Sequence, residues 1–195
     1  MIVLRLIGGA FAVALMLTVN VVMARDEVSF AQGQNQRLPA FTTLVVENGG
    51  EVTVRPSTSY SATVVQGGDK VELYTDNGEL MIDCARPCRG DVRRVIEIFV
   101  TSLQAVEVRS GSIISFTGGF PGQNDLSLRI EGGGAIDAFA LPANNVTATV
   151  RGGGTISTSA DNTLNANIVG AGYIIYNGSP RVTESIKGSG SVAPR

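Results

Sequence analysis

The sequence predicts an all-β protein: a β-solenoid with an antiparallel, hairpin-rich amino-terminal part, with a β-sandwich as the alternative. Three observations carry this. The composition, with 24 Gly, no Trp, no His and only 16% charged residues, favours strands and tight corners over helices. Short runs of alternating apolar and polar residues recur from Phe41 onward. Finally, the carboxyl half repeats one unit at a nearly constant step.

Taken in order, residues 1–24 read as a secretory signal peptide. Arg5 precedes an apolar stretch from Leu6 to Val22, and Val22-Met23-Ala24 ends on the small residue a signal peptidase requires. An uncleaved membrane anchor is the competing reading of the same stretch. Residues 25–39 are polar, contain Gln32, Gln34 and Gln36, and end at Pro39, which predicts a flexible arm. Residues 40–195 then form a single domain. Strand-sized runs lie at 43–46, 51–55, 60–65, 71–75, 79–82, 95–100 and 103–108. Asn48-Gly49-Gly50, Gly67-Gly68-Asp69 and Asp76-Asn77-Gly78 separate several of them and predict hairpins between neighbours. Cys84 and Cys88 sit in a short interval between two runs. In an oxidising compartment they are expected to pair as a local staple.

The repeat comes next. Leu126-Ser-Leu-Arg-Ile130, Val146-Thr-Ala-Thr-Val150, Leu164-Asn-Ala-Asn-Ile168 and Val182-Thr-Glu-Ser-Ile186 each run through one more residue into a glycine-rich triplet. The triplets are Gly132-Gly133-Gly134, Gly152-Gly153-Gly154, Gly170-Ala171-Gly172 and Gly188-Ser189-Gly190, and a weaker copy at Val106–Ile113 carries Gly111. The first residues of the four units stand 20, 18 and 18 positions apart. Alternation before the triplet and its resumption two residues later predict two strands meeting at a glycine corner. Stacking predicts columns of Leu126 with Val146, Leu164 and Val182, and of Ile130 with Val150, Ile168 and Ile186. Thr147, Asn165 and Thr183 then form an outward column. No unit buries its apolar face alone, so the units must stack.

Gly170-Ala-Gly-Tyr-Ile-Ile-Tyr176-Asn-Gly178-Ser-Pro180-Arg-Val182, leading into Lys187-Gly-Ser-Gly-Ser-Val192, resembles the closing signature of the putative auto-transporter adhesin head GIN domain family, a domain of unknown function. Phe41-Thr-Thr-Leu-Val-Val-Glu-Asn-Gly49 is similar to that family's first strand. The resemblance implies a right-handed parallel β-helix, export to the bacterial periplasm or cell surface, and adhesion. It brings no catalytic residues. The inner triplets depart from the family's usual Gly-Ser-Gly, and the Cys84–Cys88 interval stands outside its pattern.

Without histidine there is no Ser-His-Asp or Cys-His machinery and no imidazole metal site. Two cysteines supply only half a zinc shell, so no metal or cofactor is expected. A catalytic reading would need paired carboxylates or an acidic calcium cluster, for which Asp125, Glu131 and Asp137 are the nearest residues. Charges at strand ends serve more often as solvated edge protection, and no enzyme is predicted. β-Branched strands rather than helices follow the glycine triplets, which argues against nucleotide binding. Dispersed charges of both signs and a formal net charge of −2 argue against nucleic acid. Arg89-Gly90-Asp91 matches a cell-recognition tripeptide, and Asn145-Val-Thr147 and Asn177-Gly-Ser179 match the glycosylation sequon. Chance accounts for each. Tyr173, Tyr176 and Phe139 are aromatic candidates for sugar stacking, with closure of the core as the simpler role. The expectation is a non-enzymatic binding module for an envelope polymer, a glycan or a protein. A structural or regulatory envelope partner is the alternative, followed by a polysaccharide-processing enzyme.

Overall fold

The computed structural model describes residues 26–28, 32–48, 50–68, 71–85 and 92–195. The leader expected at 1–24 lies outside the described residues. Among those described, no helix is long and apolar enough to cross a membrane. The described strands are, in chain order, β1 (Asp26–Val28), β2 (Asn35–Arg37), β3 (Thr43–Glu47), β4 (Glu51–Pro56), β5 (Ser61–Gln66), β6 (Val71–Asp76), β7 (Glu79–Cys84) and β8 (Val95–Val100). There follow β9 (Ala105–Arg109), β10 (Ile113–Phe116), β11 (Gln123–Gly132), β12 (Ala135–Gly152), β13 (Thr155–Gly170), β14 (Tyr173–Asn177), β15 (Arg181–Gly188) and β16 (Ser191–Pro194).

These strands form a β-solenoid with a mixed sheet. Each row is a strand, a corner and a second strand, and successive rows pair in parallel. One face runs through β7, β3, β9, β11, the carboxyl end of β12, that of β13, and β15. The other runs through β8, β4, β10, the starts of β12 and β13, then β14 and β16. Parallel pairing between rows excludes the sandwich of antiparallel strands.

Register places the predicted columns. Leu126, Val146, Leu164 and Val182 are successive partners, as are Ile130, Val150, Ile168 and Ile186. The outward column Thr147, Asn165, Thr183 lies alongside, with Ser127 at its head. The second face carries a longer ladder of Ile96, Val52, Ile114, Ile136, Ile156, Ile174 and Val192. β-Branched side chains stacked in register fill the space between the faces. Val52 through Ile174 in this ladder are at most 1% exposed.

The amino-terminal part is more interleaved than its sequence suggested. Antiparallel pairing is present, joining β6 to β7, β5 to β8, β1 to β6 and β2 to β5. Asn77 and Gly78, both with positive φ, turn β6 into β7 as a tight hairpin. The other two expected hairpins are corners instead. β3 and β4, flanking Asn48 and Gly50, lie on different faces and each pairs with strands of neighbouring rows. β5 and β6 likewise pair with β8 and β7 rather than with each other. Stack order therefore differs from chain order: the β3–β4 row sits between the later β7–β8 and β9–β10 rows. The segment expected as a flexible arm contributes β1 and β2, which cover this end.

At the opposite end the last row is open. Ile168 is fully buried in the penultimate row, whereas its partner Ile186 is 39% exposed. The neighbouring inward column reads Leu80, Leu44, Val106, Leu128, Ala148 and Ala166 until Glu184 breaks it. An inward-pointing charge on an edge strand is a known device against edge-to-edge association. Replacing Glu184 with Val completes the apolar column. Glu184→Val protein beginning at Arg25 is expected to elute from size exclusion at a larger apparent mass than the unsubstituted protein. Equal elution would remove this role from Glu184.

Candidate functional site

The corners are held row to row. The N–H of Gly153 donates to Gly132 O at 3.0 Å, Ala171 to Gly152 O at 2.9 Å and Ser189 to Gly170 O at 3.0 Å. The first glycine of each later triplet rides directly on the carbonyl of the one before it. At Gly152, Gly170 and Gly188, a Cβ would overlap that oxygen, and φ is +125, +128 and +130. The third glycines, Gly154, Gly172 and Gly190, are crowded by the side chains of Ile130, Val150 and Ile168 together with the carbonyls of Gly134, Gly154 and Gly172. Gly134 itself is packed on Ser112 O. The middle position is open: a Cβ at Gly133 or Gly153 meets nothing within 4 Å. Hence Ala171 and Ser189 fit there, which accounts for the varied triplets on one backbone. Gly111 likewise has room but adopts φ +75. The crowded glycines thus serve the packing of one row on the next.

The three carboxylates are not brought together. Asp125 and Glu131 lie six residues apart on β11, roughly 20 Å along an extended strand. Asp137 lies past the corner on the other face, where its Oδ1 accepts the Phe139 N–H at 3.3 Å. A glycosidase pair requires separations of about 5–9.5 Å. Among the described residues no cluster of three or more acidic, Cys or His side chains could hold a metal. Glu131 is engaged by Arg129, whose hydrogen bond and then charge hold its carboxyl below the usual range. Arg129 also lies 3.7 Å from Glu107, which pairs with Arg109 at 2.8 Å. An ionised carboxylate tied into such a ladder is poorly suited to donate a proton.

The aromatic candidates separate as well. Tyr176 packs against the core, and Arg195 covers the Phe139 ring at 4.8 Å. Tyr173 alone of the three stands outward, 51% exposed. Cys84 ends β7 with its side chain buried and its N–H donated to Asp83 Oδ1 at 2.7 Å. Cys88 and Arg89-Gly90-Asp91 lie outside the described residues.

What the rows do assemble is a polar groove of about 820 Å³ at the start of the first face. It crosses four rows, from Gln104 through Gln123–Ser127 to Asn145 and Thr147, then Thr163 and Asn165. Asn145 Nδ2 donates to Asp125 Oδ1 at 3.1 Å, and Thr163 Oγ1 donates to Asn145 Oδ1 at 2.9 Å. A parallel bond joins Asn144 Nδ2 to Asn124 Oδ1 at 3.3 Å. In-register stacking produces this: equivalent residues of successive units come side by side, so amides and carboxylates 18 or 20 positions apart hydrogen-bond. The outward column Ser127, Thr147 and Asn165 forms part of the wall. Sequence reading placed Thr147 and Asn165 in an outward column but did not find the groove, because Asn124 and Asn145 belong to the link between units, where no alternation marks them.

The family model for the putative auto-transporter adhesin, head GIN domain matches residues 120–180, the stretch containing the most regular rows, so the resemblance read from the sequence holds. A crystal structure of a putative adhesin from Bacteroides fragilis is 18% identical, with a TM-score of 0.53 over 83% of this chain and 95% of that one. A putative adhesin from Parabacteroides merdae is 15% identical with a TM-score of 0.39, and a putative lipid binding protein from Parabacteroides distasonis is 17% identical with a TM-score of 0.34. Both cover 83% of this chain and 95% of their own. No curated protein matches the sequence.

Proposed function

We propose, from the head GIN match as premise, that this protein is an exported module of the bacterial envelope or surface that binds rather than catalyses. The observation that carries the reading is the groove. Its polar side chains are fixed by bonds from one row to the next, while the candidate carboxylates are scattered over strand and corner. Binding sites gain from groups held in place before the ligand arrives. Hydrolysis would need two carboxyls facing one bond.

Export follows from the leader at 1–24, and in an oxidising compartment Cys84 and Cys88 pair to staple the link between β7 and β8. The alternative is a structural envelope partner, favoured by the open last row, whose strand edges are available for β-augmentation. Glu184 counts against it.

Labelled protein beginning at Arg25 is expected to be retained on whole bacterial cells or isolated peptidoglycan above a control protein of similar size and charge. Retention no greater than the control would sink the adhesion reading.

A further inference from the structure

The geometry points to a ligand class for the groove: we infer that it takes a neutral, hydroxyl-rich polysaccharide laid across the rows. This rests on the binding reading above and adds its site and chemistry. Charge is the first argument. Among the described residues the lining holds amides, hydroxyls and the single carboxylate of Asp125, with no Lys or Arg. A phosphate, sulfate or uronate would meet Asp125 with no cation to offset it, and desolvating such a pair is costly. Of the basic side chains nearby, Arg129 and Arg109 are committed to Glu131 and Glu107 further along the strands, and Arg181 lies one row past the lining, in register with Thr163 and three rows from Asp125.

Hydrogen-bonding capacity is the second. An ionised carboxylate accepts at about four lone-pair sites, and an amide both donates and accepts. Asn145 uses one N–H on Asp125 and its oxygen on Thr163, so the carboxylate keeps its second oxygen and the amide its second N–H. An acceptor and a donor held side by side match the hydroxyls of a sugar ring, each of which both donates and accepts.

Repetition is the third. Successive rows lie about 4.8 Å apart and present Ser127, Thr147 and Asn165 in one line, so the groove offers similar chemistry at regular intervals. A polymer with its own repeat satisfies such a line where a compact small molecule cannot. No aromatic ring lines the groove, so each contact is weak and retention depends on several rows being occupied together.

The test uses protein beginning at Arg25 on immobilised neutral oligosaccharides of the gluco-, manno- and galacto-series, beside sulfated and uronate-containing ones. Neutral glycans are expected to retain the unsubstituted protein. Asn145→Ala combined with Asn165→Ala is expected to lose about tenfold in retention, the effect of roughly one lost hydrogen bond per site. Thr147→Arg, which alters an exposed outward position, should block the groove while leaving the melting temperature unchanged and so separates binding from folding. Retention only by acidic glycans, or equal retention of the substituted proteins, would overturn the assignment. Should whole-cell retention persist in Thr147→Arg while no neutral glycan binds, the adhesion reading survives and the groove does not carry it.

Discussion

Gly152→Ala is expected to lower the melting temperature by about 6–12 °C, and Gly153→Ala to leave it within about 1 °C. The two residues are neighbours and equally small, and differ in backbone conformation and in what surrounds them. At Gly152 the backbone has φ +125, a conformation L-residues rarely adopt, and the added methyl would overlap Gly132 O. That carbonyl also accepts the Gly153 N–H, so retreat breaks a bond between rows. Conformational strain of about 1–2 kcal/mol and overpacking of about 1–3 kcal/mol combine to about 3 kcal/mol. Gly153 meets nothing within 4 Å, and the equivalent positions already hold Ala171 and Ser189. Scanning calorimetry on both proteins decides the matter. Equal melting temperatures would mean the corner relaxes at little cost.

Ile168→Ala is expected to destabilise by about 3–4 kcal/mol, and Ile186→Ala by less than about 1 kcal/mol. Both side chains occupy the same inward column and are direct partners in register. Ile168 is sealed between rows at 0% exposure, so truncation leaves a cavity with covered walls. Ile186 is 39% exposed at the open end, where solvent fills the space. Urea unfolding measures both. Equal losses would require the last row to be covered in solution.

Much of the solenoid was legible because its repeat and its alternation describe the same physical fact. A period of 18 to 20 residues brings like positions together, and a period of two decides which of them turn inward. Leu126, Val146, Leu164 and Val182 could thus be stacked before any coordinates. Pairing in the amino-terminal part was not legible. Alternating runs identify strands but not their neighbours, and positive φ serves a corner at Asn48 as readily as a hairpin at Asn77. β1 and β2 escaped notice because an edge strand can be held by backbone hydrogen bonds alone, which polar residues make as well as apolar ones. The groove was half visible: Thr147 and Asn165 follow the alternation, while Asp125, Asn145 and Thr163 meet only through row-to-row register. Strand extension and the Gly132–Gly134 corner keep Asp125, Glu131 and Asp137 apart, a separation that was legible in their spacing.

The exchange between chain order and stack order bears on how the molecule assembles in time. Rows from Leu126 onward join partners only 18 or 20 residues away, so each can close as soon as it is synthesised. The β3–β4 row has no such neighbour. Thr43 pairs with Glu79 and with Ala105, 36 and 62 residues downstream. A chain emerging amino end first therefore presents its earliest full row with both edges bare, and must hold it so until the excursion through β5–β8 returns. Nucleation belongs to the late, local rows, while the oldest segment waits the longest for enclosure.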